Sequence, residues 1–440
     1  MVTSTHHYST LQKNNNIDDQ KNLNEQICIE ESLLNNQKPR LEKLGSVFSL
    51  PGKKRYKKKV LSTLDILISF FVVAPCVVGG WRGVWELMLL YPRLFPPVES
   101  FVIGNGIHIV LALVQNHFHD ILTGDNKSKI WSIISFILIK VYILIFYIST
   151  MLTWYGGWEV YDLLTEVDET KGGIALPHTS HVSNVVFLVV LVIVMLMKVL
   201  KNVISVPFEI ALDLDTSEIL LFPTYFKVKA EEKTSLYILD CLFSILVVGT
   251  LVVFVWRGAW VLIDIFLFPD DQIMSAWLSL IIGYATVAVA FLLQPMLRWM
   301  CDRATGATRL IVADFFILFS FFGTVNVWRG IWNLLNLYFL PNNLELSCWI
   351  THWVCLIILI LLGCSNSLLV RGVYIDAEEP AGKCVVFPCY YLRILFQQEK
   401  AKKDNSKIQM EDVKVPRDYE NNHVINVEKI ENVIENNSKL

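Results

Sequence analysis

The chain holds 440 residues, of which 54% are hydrophobic and only 18% charged, with a formal net charge of −3 and a mean hydropathy of +0.47. These values exclude a disordered chain, a collagen-like chain and a strongly basic nucleic-acid binder. Polar residues collect at the two ends, so the stretch from Val60 to Phe396 is too apolar for a water-facing globule and reads as a polytopic membrane protein.

Residues 1–59 are polar and Asn-rich and read as a disordered cytosolic tail without a secretory signal. The tail ends in the polybasic run Lys53, Lys54, Arg55, Lys57, Lys58 and Lys59, an orientation signal and a candidate contact for anionic inner-leaflet lipids. Eight apolar stretches then reach the length that crosses a lipid bilayer: 60–90, 101–122, 130–164, 182–205, 236–268, 275–297, 310–340 and 348–370. The odd stretches are longer than the hydrocarbon core requires and must tilt, break or end along the interface. Lys127 and Lys129 follow the second stretch; Lys198, Lys201, Lys227, Lys229 and Lys233 the fourth; Arg298, Arg303 and Arg309 the sixth. The opposite loops carry mainly acids, so both termini are expected in the cytosol. The expected fold is all-α, with a four-span half at 60–205, a cytosolic loop at 206–235 and a second half at 236–370. An amphipathic juxtamembrane segment at 371–399 and a disordered cytosolic tail at 400–440 would follow.

One motif recurs late in every odd span: Trp81-Arg82-Gly83-Val84-Trp85, Trp154-Tyr155-Gly156-Gly157-Trp158, Trp256-Arg257-Gly258-Ala259-Trp260 and Trp328-Arg329-Gly330-Ile331-Trp332. It uses eight of the 13 tryptophans. The second copy follows the first by 73 residues and the fourth follows the third by 72, while the third follows the first by 175. The chain therefore reads as two parallel halves, each of two helical hairpins, related by an axis along the membrane normal. Phe222-Pro223-Thr224-Tyr225, which recurs as Phe387-Pro388-Cys389-Tyr390, keeps the same order. Two readings of the motif stand. In one it is an outer-leaflet aromatic belt with snorkelling arginines, and its glycine lets helices approach. In the other, Arg82, Arg257 and Arg329 converge on one outward-facing site with Glu86, Glu159 and Asp264.

Asp65, Lys140, Asp240 and Asp314 hold matched places in the four units, either as helix ends near the inner headgroups or as intramembrane charges. An ammonium inside a span demands a counter-charge, so Lys140 is expected to pair with one of these aspartates. His117, His119 and Asp120 do not form a metal set, because His117 and His119 lie on different helix faces. The nine cysteines show no metal-finger spacing, and neither nucleophile–base pair nor phosphate-binding loop is visible, so no cofactor and no catalysis are expected. Cys384 and Cys389 are candidates for S-acylation, and Ser438 with Leu440 for a PDZ ligand.

The eight spans, the cytosolic ends and the repeated Trp81–Trp85, Trp154–Trp158, Trp256–Trp260 and Trp328–Trp332 motifs resemble the fuseless family. The second copy departs from its pattern, with Tyr155 in place of arginine. The resemblance implies a neuronal, presynaptic membrane protein that supports neurotransmission by organising or regulating calcium channels. The alternative is a transporter or channel, because parallel repeats with charges inside spans suit that class too.

Overall fold

The structure, a computed structural model, describes residues 51–123, 128–165, 178–213, 219–230, 233–380, 382–389, 391–396, 399–400 and 403. Residues 1–62 and 63–440 fall into two units, and the described part of the first is the start of helix α1 (Pro51–Ile68). The lysine run lies on that backbone, and the chain ends Ser438 and Leu440 fall outside the described residues.

Helix α1 passes through a π-helical turn, Ser69–Val73, into α2 (Ala74–Leu90). Then come α3 (Pro97–Thr123), α4 (Lys129–Thr165) and α5 (His178–Leu196). Helix α6 (Thr234–Leu242) runs through a second π-helical segment, Phe243–Gly249, into α7 (Thr250–Phe266). Helices α8 (Gln272–Arg303), α9 (Gly306–Tyr338) and α10 (Leu344–Leu361) follow. No strand occurs among the described residues, and seven helices are long and apolar enough to cross a membrane. The fourth predicted stretch is shorter than expected: its apolar helix ends at Leu196 instead of continuing to Ser205. Phe71, Ile130, Leu292, Phe315 and Leu361 are each more than three-fifths exposed, a greasy exterior suited to lipid.

The reason for that early end recurs at α10. Lys198 N–H donates to Met195 O and Val199 N–H to Val194 O, while Gly363 N–H donates to Ile360 O and Cys364 N–H to Leu359 O. Both are the double-bonded helix stop that needs a left-handed residue, here Lys198 at φ 57° and Gly363 at φ 65°. A 3-10 turn follows each stop, Leu200–Val203 and Ser365–Leu368. Both turns are then capped crosswise. Asp376 accepts from Leu200 N–H (2.8 Å) and Lys201 N–H (2.7 Å), and Asp213 accepts from Ser365 N–H (3.0 Å) and Asn366 N–H (2.8 Å). The segment that follows each turn thus closes the other turn.

Helix pairing differs from the expected hairpins. The closest packing joins α3 to α4, α5 to α7, α8 to α9, and α10 to α2. Each even predicted stretch therefore packs on the odd stretch after it, and the eighth packs on the first. The motif glycines set these pairs. A Cβ on Gly156 would lie 2.4 Å from Phe101 N, one on Gly330 2.6 Å from Leu280 N, and one on Gly83 2.6 Å from Cys348 O. A Cβ on Gly258 would meet the Phe187 ring at 2.4 Å. Such approaches are open to glycine alone.

Segment 371–389 is built into the core instead of lying along an interface. Val373, Val385, Phe387 and Cys389 are buried, and the Phe387 ring packs, tilted, at 4.5 Å on Phe208 and at 5.3 Å on Phe316. Cys384 is buried as well, and the Cys389 thiol points to Asp65 O at 3.6 Å. S-acylation at Cys384 or Cys389 does not fit this packing, because an acyl chain needs a thiol at the surface.

Candidate functional site

The four motif helices bring all eight tryptophans together. Trp81, Trp154, Trp256 and Trp328 form a closed ring of edge-to-face indoles with centroid spacings of 5.3, 5.9, 5.3 and 5.5 Å. One turn further on, Trp85, Trp158, Trp260 and Trp332 form a second ring at 5.4, 6.1, 5.8 and 6.0 Å. Two indoles four residues apart share one helix face, so four such helices around one axis stack two rings. Each edge-to-face pair contributes about 0.5–1.5 kcal/mol beyond its burial. The indole N–H groups bind the re-entering chain: Trp81 donates to Leu368 O, Trp256 to Val203 O and Trp328 to Val206 O, each at 3.0 Å. The expected aromatic belt is therefore turned inside out. Trp81, Trp85, Trp154, Trp256 and Trp328 are each 9% exposed or less, since the axis offers aromatic edges and carbonyls that lipid cannot.

The arginines do not converge. Arg82 donates to Asn336 Oδ1 (2.6 Å) and Ser347 Oγ (3.0 Å). Arg329 donates to Asp264 Oδ1 (2.7 Å) and Ser275 Oγ (2.8 Å), and Arg257 pairs with Asp162 while lying over the Tyr161 ring. Each reaches the neighbouring motif helix at the residue eight places beyond that helix's first tryptophan: Asp162, Asp264 or Asn336. In the first helix this place is Leu89, and the arginine that would meet it is Tyr155, whose ring packs at 5.7 Å on Trp85. The departure in the second copy is thus matched by a second departure on its partner. A Tyr155→Arg variant is expected to lose about 1–3 kcal/mol, less than a charge at the bilayer centre because Leu89 is near a helix end. Adding Leu89→Asp should restore most of that loss. Thermal melts of the single and double variants in detergent check this.

Of the matched charges, Asp65 and Asp240 hold the two Phe-Pro segments. Asp65 accepts from Leu392 N–H (2.6 Å) and Arg393 Nε (2.7 Å). Asp240 accepts from Thr224 Oγ1 (2.6 Å), Phe226 N–H (2.9 Å) and Val228 N–H (3.0 Å). Lys140 pairs with none of the expected aspartates; its Nζ sits 2.5 Å from Asp213 Oδ2 and 3.1 Å from Ser365 Oγ. At the matching place, Asp314 is buried with Oδ1 lacking a hydrogen-bond partner, and it interacts electrostatically with Asp376 and Lys198.

Between and below the indole rings lies a cavity of about 380 Å³. All eight motif tryptophans line it. Glu86 and Glu159 stand beside the second ring, and Lys201, Glu209 and Arg371 stand on the re-entering segments. Trp332 Nε1 and Asn336 Nδ2 donate to Glu86 Oε1 at 2.8 and 2.9 Å. Lys201 is engaged by Glu379 at 2.6 Å. Burial pushes the Glu209 carboxyl up to about 7, against the pull of Lys201. Burial likewise raises Asp376 to about 6, against two backbone N–H bonds. No cluster of three or more metal-ligating side chains occurs among the described residues.

The Trp-x-Gly-x-Trp register pointed to these helices, and the residues eight places on, which complete each contact, carried the same period unread. The Asp213 and Asp376 caps lay in segments read as loop and surface helix. Compared with known proteins, the chain matches neither a curated protein nor a solved structure. The model of one protein family, described as Fuseless, matches residues 60–369. This span takes in all four indole-bearing helices, and the chain belongs to the Fuseless family.

Proposed function

We propose that the chain is a non-catalytic protein of the presynaptic plasma membrane that supports neurotransmission by organising or regulating calcium channels. Family membership over residues 60–369 carries this reading. In it the protein crosses the membrane eight times, with helix α5 as the fourth span and both termini cytosolic, and its two halves descend from one duplicated unit. The crosswise Asp213 and Asp376 caps and the matched Asp65 and Asp240 contacts support the duplication. The Lys/Arg asymmetry of the loops supports the orientation. The packed bundle is the platform. The polar tails are the partner-binding parts, one with its polybasic run on anionic lipid and the other with Ser438 and Leu440 offered to a PDZ scaffold.

The test is made at a presynaptic terminal lacking the protein. Evoked release and calcium-channel density at the terminal should fall, and the full chain should restore both. A chain without residues 400–440 should reach the membrane and fail to restore channel density. Normal channel density in the absence of the protein would refute this reading. A transporter or channel is the second reading, favoured by the charged, indole-lined cavity between the helices. Flux through reconstituted vesicles would decide for it.

A further inference from the structure

The two crosswise caps are alike except in charge. Lys140 and Asp314 each stand 14 residues before the first tryptophan of their motif, and each meets an aspartate that caps a 3-10 turn. At Lys140 that aspartate is Asp213, and an ammonium bonds a carboxylate at 2.5 Å. At Asp314 it is Asp376, so a carboxyl group meets a second carboxyl group. Asp376 is 3% exposed and gives one oxygen to each of the Leu200 and Lys201 N–H groups. Asp314 is 6% exposed, and its Oδ1 is buried without a hydrogen-bond partner. A buried carboxylate with no donor is costly, and two interacting carboxyl groups in one buried place do not both ionise.

The charged groups around the pair are engaged elsewhere or stand in solvent. Lys198 acts on Asp314 electrostatically, but it is exposed and leaves Oδ1 without a donor. Lys201 is taken by Glu379 at 2.6 Å, with the buried Glu209 beside it. On α9 itself, Arg309 donates to Ala377 O and Glu379 O. On the capping segment, Glu378 pairs with Lys227. A hard metal ion takes six or more oxygens, and among the described residues no third ligating side chain joins the two aspartates. A proton needs neither a third ligand nor added space.

We infer that Asp314 and Asp376 bind one proton between them, which supplies the positive charge that the Lys140 ammonium brings to Asp213. The site is tied to the indole rings. Asp376 holds the 200–203 turn, and Val203 O at the end of that turn accepts from Trp256 Nε1 at 3.0 Å. Loss of the proton sets two buried charges against each other and loosens the turn beneath the first ring. The native pair keeps a proton that the unfolded chain, with carboxyl values of about 4, has already released above that range. Stability is therefore full in acid and falls as pH rises through about 6, the value to which burial pushes Asp376. Proton binding requires neither flux nor a calcium channel, so it stands apart from both readings above.

The experiment takes the full-length protein, purified in an uncharged maltoside detergent, from about pH 5 to about pH 8. The parent's melting temperature should fall by at least about 3 °C over this range. Infrared difference spectra should show the carbonyl stretch of a protonated carboxylic acid disappearing as pH rises. Asp314→Asn keeps the shape and removes the charge. It should melt no lower than the parent at about pH 8, lose most of the pH-dependent fall, and lack part of the acid band. Glu209 titrates in the same range in both proteins, so it cancels in the difference. Asp314→Leu is the second neutral variant and should flatten the profile likewise. A pH profile shared by parent and variants, an acid band unchanged in Asp314→Asn, or failure of both neutral variants to fold would overturn the inference. So would sodium or calcium chloride stabilising the parent, and not Asp314→Asn, more than choline chloride does at equal ionic strength, since that would assign the pair to a metal ion.

Discussion

Replacing Asp65 with alanine is expected to cost about 3–5 kcal/mol, the range for removing one partner of a buried ion pair. The Asp65 side chain is fully buried, and its two oxygens take the Leu392 N–H and the Arg393 guanidinium. Alanine leaves both donors facing a hole, and it detaches the segment that carries Phe387 into the core. Asp240→Ala should cost a comparable amount, because that carboxylate is buried and takes two backbone N–H groups besides Thr224. Lys140→Met should act through the same physics by stranding Asp213, although Ser365 and two backbone N–H groups still hold that carboxylate. Thermal denaturation in one detergent ranks the three. An Asp65→Ala protein that melts with the parent would mean that the helical segment 391–396 is not anchored as described.

The second large effect belongs to the motif glycines. Gly156→Val is expected to prevent folding or to cost at least about 3 kcal/mol, the upper part of the usual range for overpacking. The added carbons would meet Phe101 N at 2.4 Å and Pro97 O at 2.6 Å. Both are backbone atoms on α3 and cannot rotate away, so the helix pair must separate. Gly106, on the same α3 helix, is the control. Nothing lies within 4 Å of its Cβ position, and Gly106→Ala should be neutral or raise stability by up to about 1 kcal/mol through helix propensity. Yield of monodisperse protein together with the melting temperature distinguishes the two outcomes.

The parts of the fold legible in the sequence were those written in local periodicity. Apolar runs marked the membrane helices, and four copies of one motif marked the helices that meet at the centre. The direction of the indoles was not legible. A tryptophan pair on one helix face fits a lipid boundary and a helix bundle equally well until neighbouring faces are known. The glycine between the tryptophans announced close packing without saying against which helix, so adjacency in sequence suggested the wrong mates. The turns at 200–203 and 365–368 were hidden for another reason. Their apolar residues extend the hydropathy of α5 and α10, and only a left-handed residue such as Gly363 marks the stop. At the equivalent place Lys198 gives no such sign.

The pairing of α10 with α2 also constrains how the protein is made. Arg82 and its partner Ser347 are 265 residues apart, so the first helix enters the bilayer long before its mate has been synthesised. Until α10 inserts, the groove at Gly83 stays open and Arg82, which α9 can already meet through Asn336, still lacks Ser347. Biogenesis therefore ends with a ring closure, and an insertion chaperone that shields the first helix would find its client for most of translation.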